Sequence, residues 1–164
     1  MSFSSNIKED LVKARLKTEA QRRAALSGLT LCCGSLYVGR GRGAVYATET
    51  LPVGRLILSL ATELYRLDAA MGLREREGRK RPLTVLTLTG QDAEALLTDT
   101  GLLIRSGEEL SLGDRVPAAL TGSEANVRAF LRGAFLGSGS CANPSRGYHL
   151  EIVARGEGVA GDIA

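Results

Sequence analysis

Tryptophan is absent, histidine occurs once, and aromatic side chains make up only 4% of the 164 residues. Leu, Val, Ile and Ala must therefore supply the core. No apolar run is long enough to cross a bilayer as a helix, and the polar N-terminus does not have the pattern of a signal peptide. These absences predict a cytoplasmic chain with no membrane partner. Cys32, Cys33 and Cys141 are an odd number, without the spacing of a zinc site or a disulfide framework. The first two end an apolar segment and read as small hydrophobic side chains. His149, beside Tyr148 in a strand-like stretch, has no matching acid or nucleophile and reads as structural rather than catalytic.

What is present fits one globular domain: 44% of the residues are hydrophobic and 24% charged. The net charge of +3 conceals an uneven distribution. Residues 1–89 hold 15 Lys and Arg against 8 Asp and Glu, whereas residues 90–126 hold 2 against 7. A basic front part followed by an acidic connector could present one face to a polyanion, although an unevenly charged solvated surface has the same signature.

The chain contains a repeat. Arg23–Ser35 reads RAALSGLTLCCGS and Arg128–Ser140 reads RAFLRGAFLGSGS, with seven of thirteen positions identical. Within each segment small residues recur every fourth position: Ala24, Gly28 and Cys32 in one, Ala129, Gly133 and Gly137 in the other. Residues four apart share a helix face, so each segment offers a strip of small side chains. Glycine inside a helix costs roughly 1 kcal/mol against alanine. Close backbone packing of two helices is a reason to keep it.

Around the repeats, 6–16 reads as a helix capped by Ser4 or Ser5, and 19–34 as the first repeat helix. Strands at 35–38 and 44–49 flank the turn Gly39-Arg40-Gly41-Arg42-Gly43. Pro52 opens a helix expected to run to Met71, with Leu56, Leu60, Leu64 and Leu67 on one stripe. A second hairpin pairs 72–77 with 82–88, a short helix covers 92–98, and 99–122 reads as irregular connecting structure. The second repeat helix spans 123–137, followed by a strand over 148–154. The expected organisation is an N-terminal helical segment (1–18), a first repeat with its acidic connector (19–122) and a truncated second repeat (123–164). Only 24 residues follow Ser140, against 87 between Ser35 and Ser123. Such a second copy would expose a sheet edge, which predicts self-association.

The two thirteen-residue segments, each followed by strand-like sequence, resemble LAGLIDADG motifs of the homing-endonuclease fold. More closely, MSFSSNIKEDL, GRGRGAVYATET and AFLRGAFLGSGSCANPSRGYHLEI resemble the WhiA family of bacterial sporulation and cell-division transcription regulators. The resemblance covers nearly the whole chain. It implies an α+β, LAGLIDADG-like fold: one αββαββα repeat and the start of a second. In the family a helix-turn-helix DNA-binding domain follows, and no segment of these 164 residues matches it.

Active LAGLIDADG enzymes end each motif helix with an acidic residue, and the two carboxylates hold divalent metal over the scissile phosphates. Laying Leu26–Gly34 and Leu131–Gly139 over the motif puts Cys33 and Ser138 at those positions. Neither offers the hard carboxylate oxygen that Mg2+ favours, so no catalytic residue, metal or cofactor is expected. The Gly39–Gly43 stretch begins like a dinucleotide fingerprint, but a strand rather than a helix follows it. The candidate DNA-binding residues are the basic hairpin tips: Arg40 and Arg42 on one, Arg74, Arg76, Arg79, Lys80 and Arg81 on the other. Charged turns also serve solubility alone. The function expected is that of a non-catalytic, nucleoid-associated domain adding weak electrostatic contacts to double-stranded DNA. A protein-interaction scaffold that no longer touches DNA is the alternative.

Overall fold

Two fifteen-residue helices form the axis of the molecule: α2 (Glu19–Cys33) and α5 (Glu124–Ser138). The computed structural model describes residues 2–164. Each helix starts in the same way. Thr18 and Ser123 are the N-caps, their hydroxyls accepting from the backbone N–H of Gln21 and Asn126. Glu19 then pairs with Arg23, and Glu124 with Arg128, one turn on. The helices run parallel and meet on the strip of small residues. A Cβ built on Gly28 would stand 2.2 Å from the Phe130 carbonyl oxygen, and one on Gly133 would stand 2.0 Å from that of Ala25. Gly133 lies 105 residues after Gly28, and Phe130 the same distance after Ala25. The two contacts are therefore equivalent under a pseudo-twofold axis running between the helices.

The first repeat wraps a sheet around α2. β1 (Gly34–Val38), β2 (Arg42–Thr48), β3 (Asp68–Arg74) and β4 (Leu83–Thr89) form an antiparallel sheet in the order β1-β2-β4-β3. α3 (Leu51–Leu64) crosses between the two hairpins, and α4 (Ala93–Asp99) follows β4. Alternation decides which face is buried. Ala44, Tyr46, Thr48, Thr84, Leu86 and Leu88 point toward the helices, and Gly54 of α3 sits close over Thr84 and Thr48. The Tyr46 hydroxyl, fully buried, is held at 2.7 Å by Thr30, which itself donates to the Leu26 carbonyl. The apolar centre is dominated by Leu26, Leu29, Leu31, Ile57, Leu96, Leu97 and Leu102, as the scarcity of aromatics requires.

The structure departs from the sequence reading in several places. The first helix, α1 (Phe3–Lys13), is capped by Ser2 rather than Ser4 or Ser5. Ser4 is occupied elsewhere: its hydroxyl donates to the Cys141 carbonyl at 2.9 Å and accepts from the Cys141 N–H at 2.8 Å. Helix α3 stops at Leu64, not Met71, and residues 68–71 are already strand. Asp92 holds the turn by accepting from the Arg66 backbone N–H and side chain, while the Tyr65 hydroxyl donates to Asp99. Residues 99–122 are not wholly irregular. They contain the hairpin β5 (Leu103–Ser106) and β6 (Glu109–Leu112), turned at Gly107 with φ 63°, and a single 3-10 turn at Ala118–Leu120.

The second repeat also extends further than a helix and one strand. β7 (Gly139–Cys141) pairs with β8 (Leu150–Ile152), a shorter strand than the expected 148–154, and α6 (Glu157–Ile163) follows. The order α5-β7-β8-α6 repeats α2-β1-β2-α3, with Val159 buried in α6 as Val53 is in α3. Asp114 accepts from the Gly158 and Val159 N–H groups at the start of α6, and Arg115 forms a two-point ion pair with Asp162.

Candidate nucleic-acid interface

At the C-terminal ends of α2 and α5 the two motif positions come together. Gly137 brings the helices so near that a Cβ there would meet Cys32 Cβ at 3.2 Å and Cys33 Sγ at 3.4 Å. Burial pushes the Cys33 thiol up to about 12, reinforced by Cys32 and opposed by the Lys8 ammonium. Burial also raises the Cys32 thiol, against a hydrogen bond with Ser138. Both cysteines are thus neutral thiols near neutral pH, poor partners for a hard cation. The Ser138 hydroxyl donates to the Val153 carbonyl at 2.6 Å.

Lys8 enters this corner from α1. It is 8% exposed, its ammonium lies 5.7 Å from the Phe135 ring centroid, and burial lowers its pKa against the pull of Glu49, Cys33 and Cys141. The sequence reading missed it, since a lysine on a short polar helix carries no signal of burial. Among the described residues no group of three or more His, Cys, Asp or Glu side chains could hold a metal ion.

The sheet face turned away from the helices carries Ser35, Tyr37, Gly43, Val45, Ala47, Asp68, Ala70, Gly72, Arg74, Leu83, Val85, Thr87 and Thr89, as the strand register requires. Arg74 is the one cation among the strand residues of that face. The remaining candidate arginines lie at the sheet's ends, and the ends are opposite. The β1–β2 turn stands beside the end of β4 at Leu88, whereas the β3–β4 loop stands beside Thr48 at the far end of β2. At least the length of β2, seven residues or roughly 24 Å, separates them.

The seven candidate residues are not equally available. Arg42 shares the buried-side register, and its guanidinium pairs with Glu94 of α4 at 3.2 Å, a carboxylate that also pairs with Arg105. Arg76 pairs with Glu49 at 3.4 Å and donates twice to the Arg81 carbonyl, closing the β3–β4 loop. Arg40, Arg42, Arg74, Arg79, Lys80 and Arg81 are all exposed, and of these only Arg42 stands in an ion pair among the described residues. At the β1–β2 end, Tyr37, Arg40, Arg42, Asp68 and Thr89 line a cleft of about 540 Å³. Tyr37 adds an aromatic ring there that charge alone did not reveal.

Paired helices joined on small residues, each leading into an antiparallel hairpin of a repeated αββα order, define a LAGLIDADG-like domain. The crystal structure of the N-terminal LAGLIDADG domain of a WhiA protein superposes with a TM-score of 0.64 over 92% of this chain and 65% of that one, at 24% identity. The full-length WhiA structure from Thermatoga maritima gives the same TM-score over 96% of this chain and 46% of that one, at 25% identity.

The particular family is that of the WhiA proteins, to which the chain is related along its whole length. The model of the WhiA LAGLIDADG-like domain matches residues 127–164. A probable cell division protein WhiA of Clostridium botulinum is 30% identical over 99% of this chain and 53% of its own length. The protein of the same description from Exiguobacterium sibiricum is 32% identical over 93% of this chain and 48% of its own. The chain thus spans about half the length of these curated relatives. Among the described residues no helix is long and apolar enough to cross a membrane.

Proposed function

We propose that this chain is a non-catalytic, DNA-associated part of a WhiA-like regulator, gripping a duplex weakly at two separated points. The observation that carries this reading is the placement of exposed cations at both ends of one sheet, with Arg40 at one and Arg74, Arg79, Lys80 and Arg81 at the other. Arginine suits phosphate contact, and such contacts position a protein on DNA without reading its sequence. Catalysis is excluded from the proposal because Cys33 and Ser138 replace the hard oxygen ligands that two-metal cleavage requires.

Each neutralised phosphate contributes about −0.9 to the slope of log affinity against log salt, so these five exposed cations, unpaired among the described residues, give a slope of about −4.5. Replacing Arg79, Lys80 and Arg81 by Gln should reduce the slope to about −2, measured by fluorescence anisotropy on a labelled duplex. An unchanged slope in that variant would remove the β3–β4 tip from the interface.

One observation favours a second reading, a protein-interaction module. Between the two basic ends the open sheet face is weakly polar, and its strand residues carry only Asp68 and Arg74 as charges, one at each end of β3, unlike a surface built along a phosphate backbone. No duplex binding even at low salt, with a protein partner captured by the same face, would select it.

A further inference from the structure

The end of the helix pair remote from β1 and β7 carries a groove that plays no part in the preceding chemistry. It measures about 530 Å³ and lies between the α1–α2 connection and the first turns of α5. Arg15, Lys17, Arg128 and Arg132 form its rim, joined by Gln21 and by Glu124, its one acidic residue. Its apolar floor is Leu16, Ala125 and Ala129. Of the four cations only Arg128 stands in an ion pair among the described residues, with Glu124 on its own helix at 2.5 Å. Arg132 is held in place by donating to the Ala14 carbonyl at 3.2 Å, and the Lys17 N–H donates to the Gln21 side chain at 2.8 Å. These bonds shape the groove, and among the described residues they leave the Arg15 guanidinium and the Lys17 ammonium without a partner.

We propose that this groove docks an acidic peptide segment, bearing aliphatic side chains, from a partner protein. Four cations against the single carboxylate of Glu124 make the rim select for anions, and guanidinium groups suit carboxylates. The floor decides between kinds of anion. A phosphodiester backbone offers no apolar side chain to lay on Leu16, Ala125 and Ala129, whereas a peptide that mixes Glu or Asp with Leu or Val covers the floor and pairs the rim together. No aromatic ring lines the groove, so the stacking that binds single-stranded nucleic acid is missing. Because β1 and β7 begin at the other end of the helices, a peptide here and a duplex on the sheet would not compete.

The test uses a short fluorescein-labelled peptide of Glu, Leu and Ser, a matched peptide of Glu and Ser only, and a labelled duplex, each titrated with the full chain. The Leu-containing peptide is expected to bind more tightly than its matched partner. The double variant Arg15→Glu, Arg128→Glu should weaken that binding about tenfold while leaving duplex binding in place. The double variant Arg55→Glu, Arg146→Glu, at two exposed positions outside the groove, is the charge-matched control and should leave peptide binding unchanged; circular dichroism checks that both variants fold. Equal affinity for the two peptides would make the groove a mere sink of positive charge and overturn the proposal. Loss of duplex rather than peptide binding in the double variant would overturn it in favour of a nucleic-acid surface. Failure of duplex binding altogether, with the preference for the Leu-containing peptide intact, would sink the DNA-associated function and support the peptide groove.

Discussion

Glycine at 28 and 133 sets how near the two long helices can come. Alanine at either position would drive a Cβ into backbone atoms of the facing helix, at 2.2 Å from Phe130 O or 2.0 Å from Ala25 O, so a helix and not a side chain must yield. Overpacking of this kind costs about 3 kcal/mol, against a gain of about 1 kcal/mol in helix propensity. Gly28→Ala and Gly133→Ala should each lower stability by about 2 kcal/mol in urea denaturation. Gly161→Ala in α6 meets nothing within 4 Å and should raise stability by up to about 1 kcal/mol.

Asp162 is the acid-sensitive group. The Arg115 guanidinium, helped by the Val116 N–H, lowers its pKa from 3.8 to about 2. A carboxylate lowered on folding stabilises above its unfolded value and loses that contribution as pH falls toward the folded one. The docking of α6 should therefore weaken between about pH 4 and 2, and Asp162→Asn should show the same loss at neutral pH, as faster amide exchange over residues 157–163. The small-residue strips were visible as a spacing of four. The Arg115–Asp162 pair was not, because nothing in sequence brings residues 47 apart together.

Between elements, α1 is tied to β7 by one serine. Ser4→Ala would leave the partly buried Cys141 N–H and carbonyl without their partner, at a cost of about 1–2 kcal/mol, and should loosen both α1 and the β7–β8 hairpin in exchange measurements. The long helices were legible because cap, apolar stripe and repeat all agreed. Helix α3 was over-extended because Leu67 continues the stripe and remains packed on the core after the helix has ended. What stops the helix is the distant Asp92, with no glycine or proline to announce it. β5 and β6 were missed because four-residue strands that are mostly exposed give too little alternation to read. The basic tips were found as residues, but their separation depends on β2 pairing with β4 rather than with β3, which local pattern does not encode.

For the whole molecule, supercoiled plasmid incubated with the chain and Mg2+ should remain uncut, as measured by gel mobility. Cutting that is abolished by Cys33→Ala or Ser138→Ala would contradict the non-catalytic assignment. The seam between α2 and α5 has a further consequence, for the order in which the molecule is made. Its two sides lie 105 residues apart, so the most intimate contact in the fold is also among the most non-local. A ribosome delivers α2, the whole four-stranded sheet and the β5–β6 hairpin before any part of α5 exists. Until then the strip of Ala24, Gly28 and Cys32 has no partner, and the nascent chain carries a bare, self-complementary helix face for as long as the connector takes to emerge.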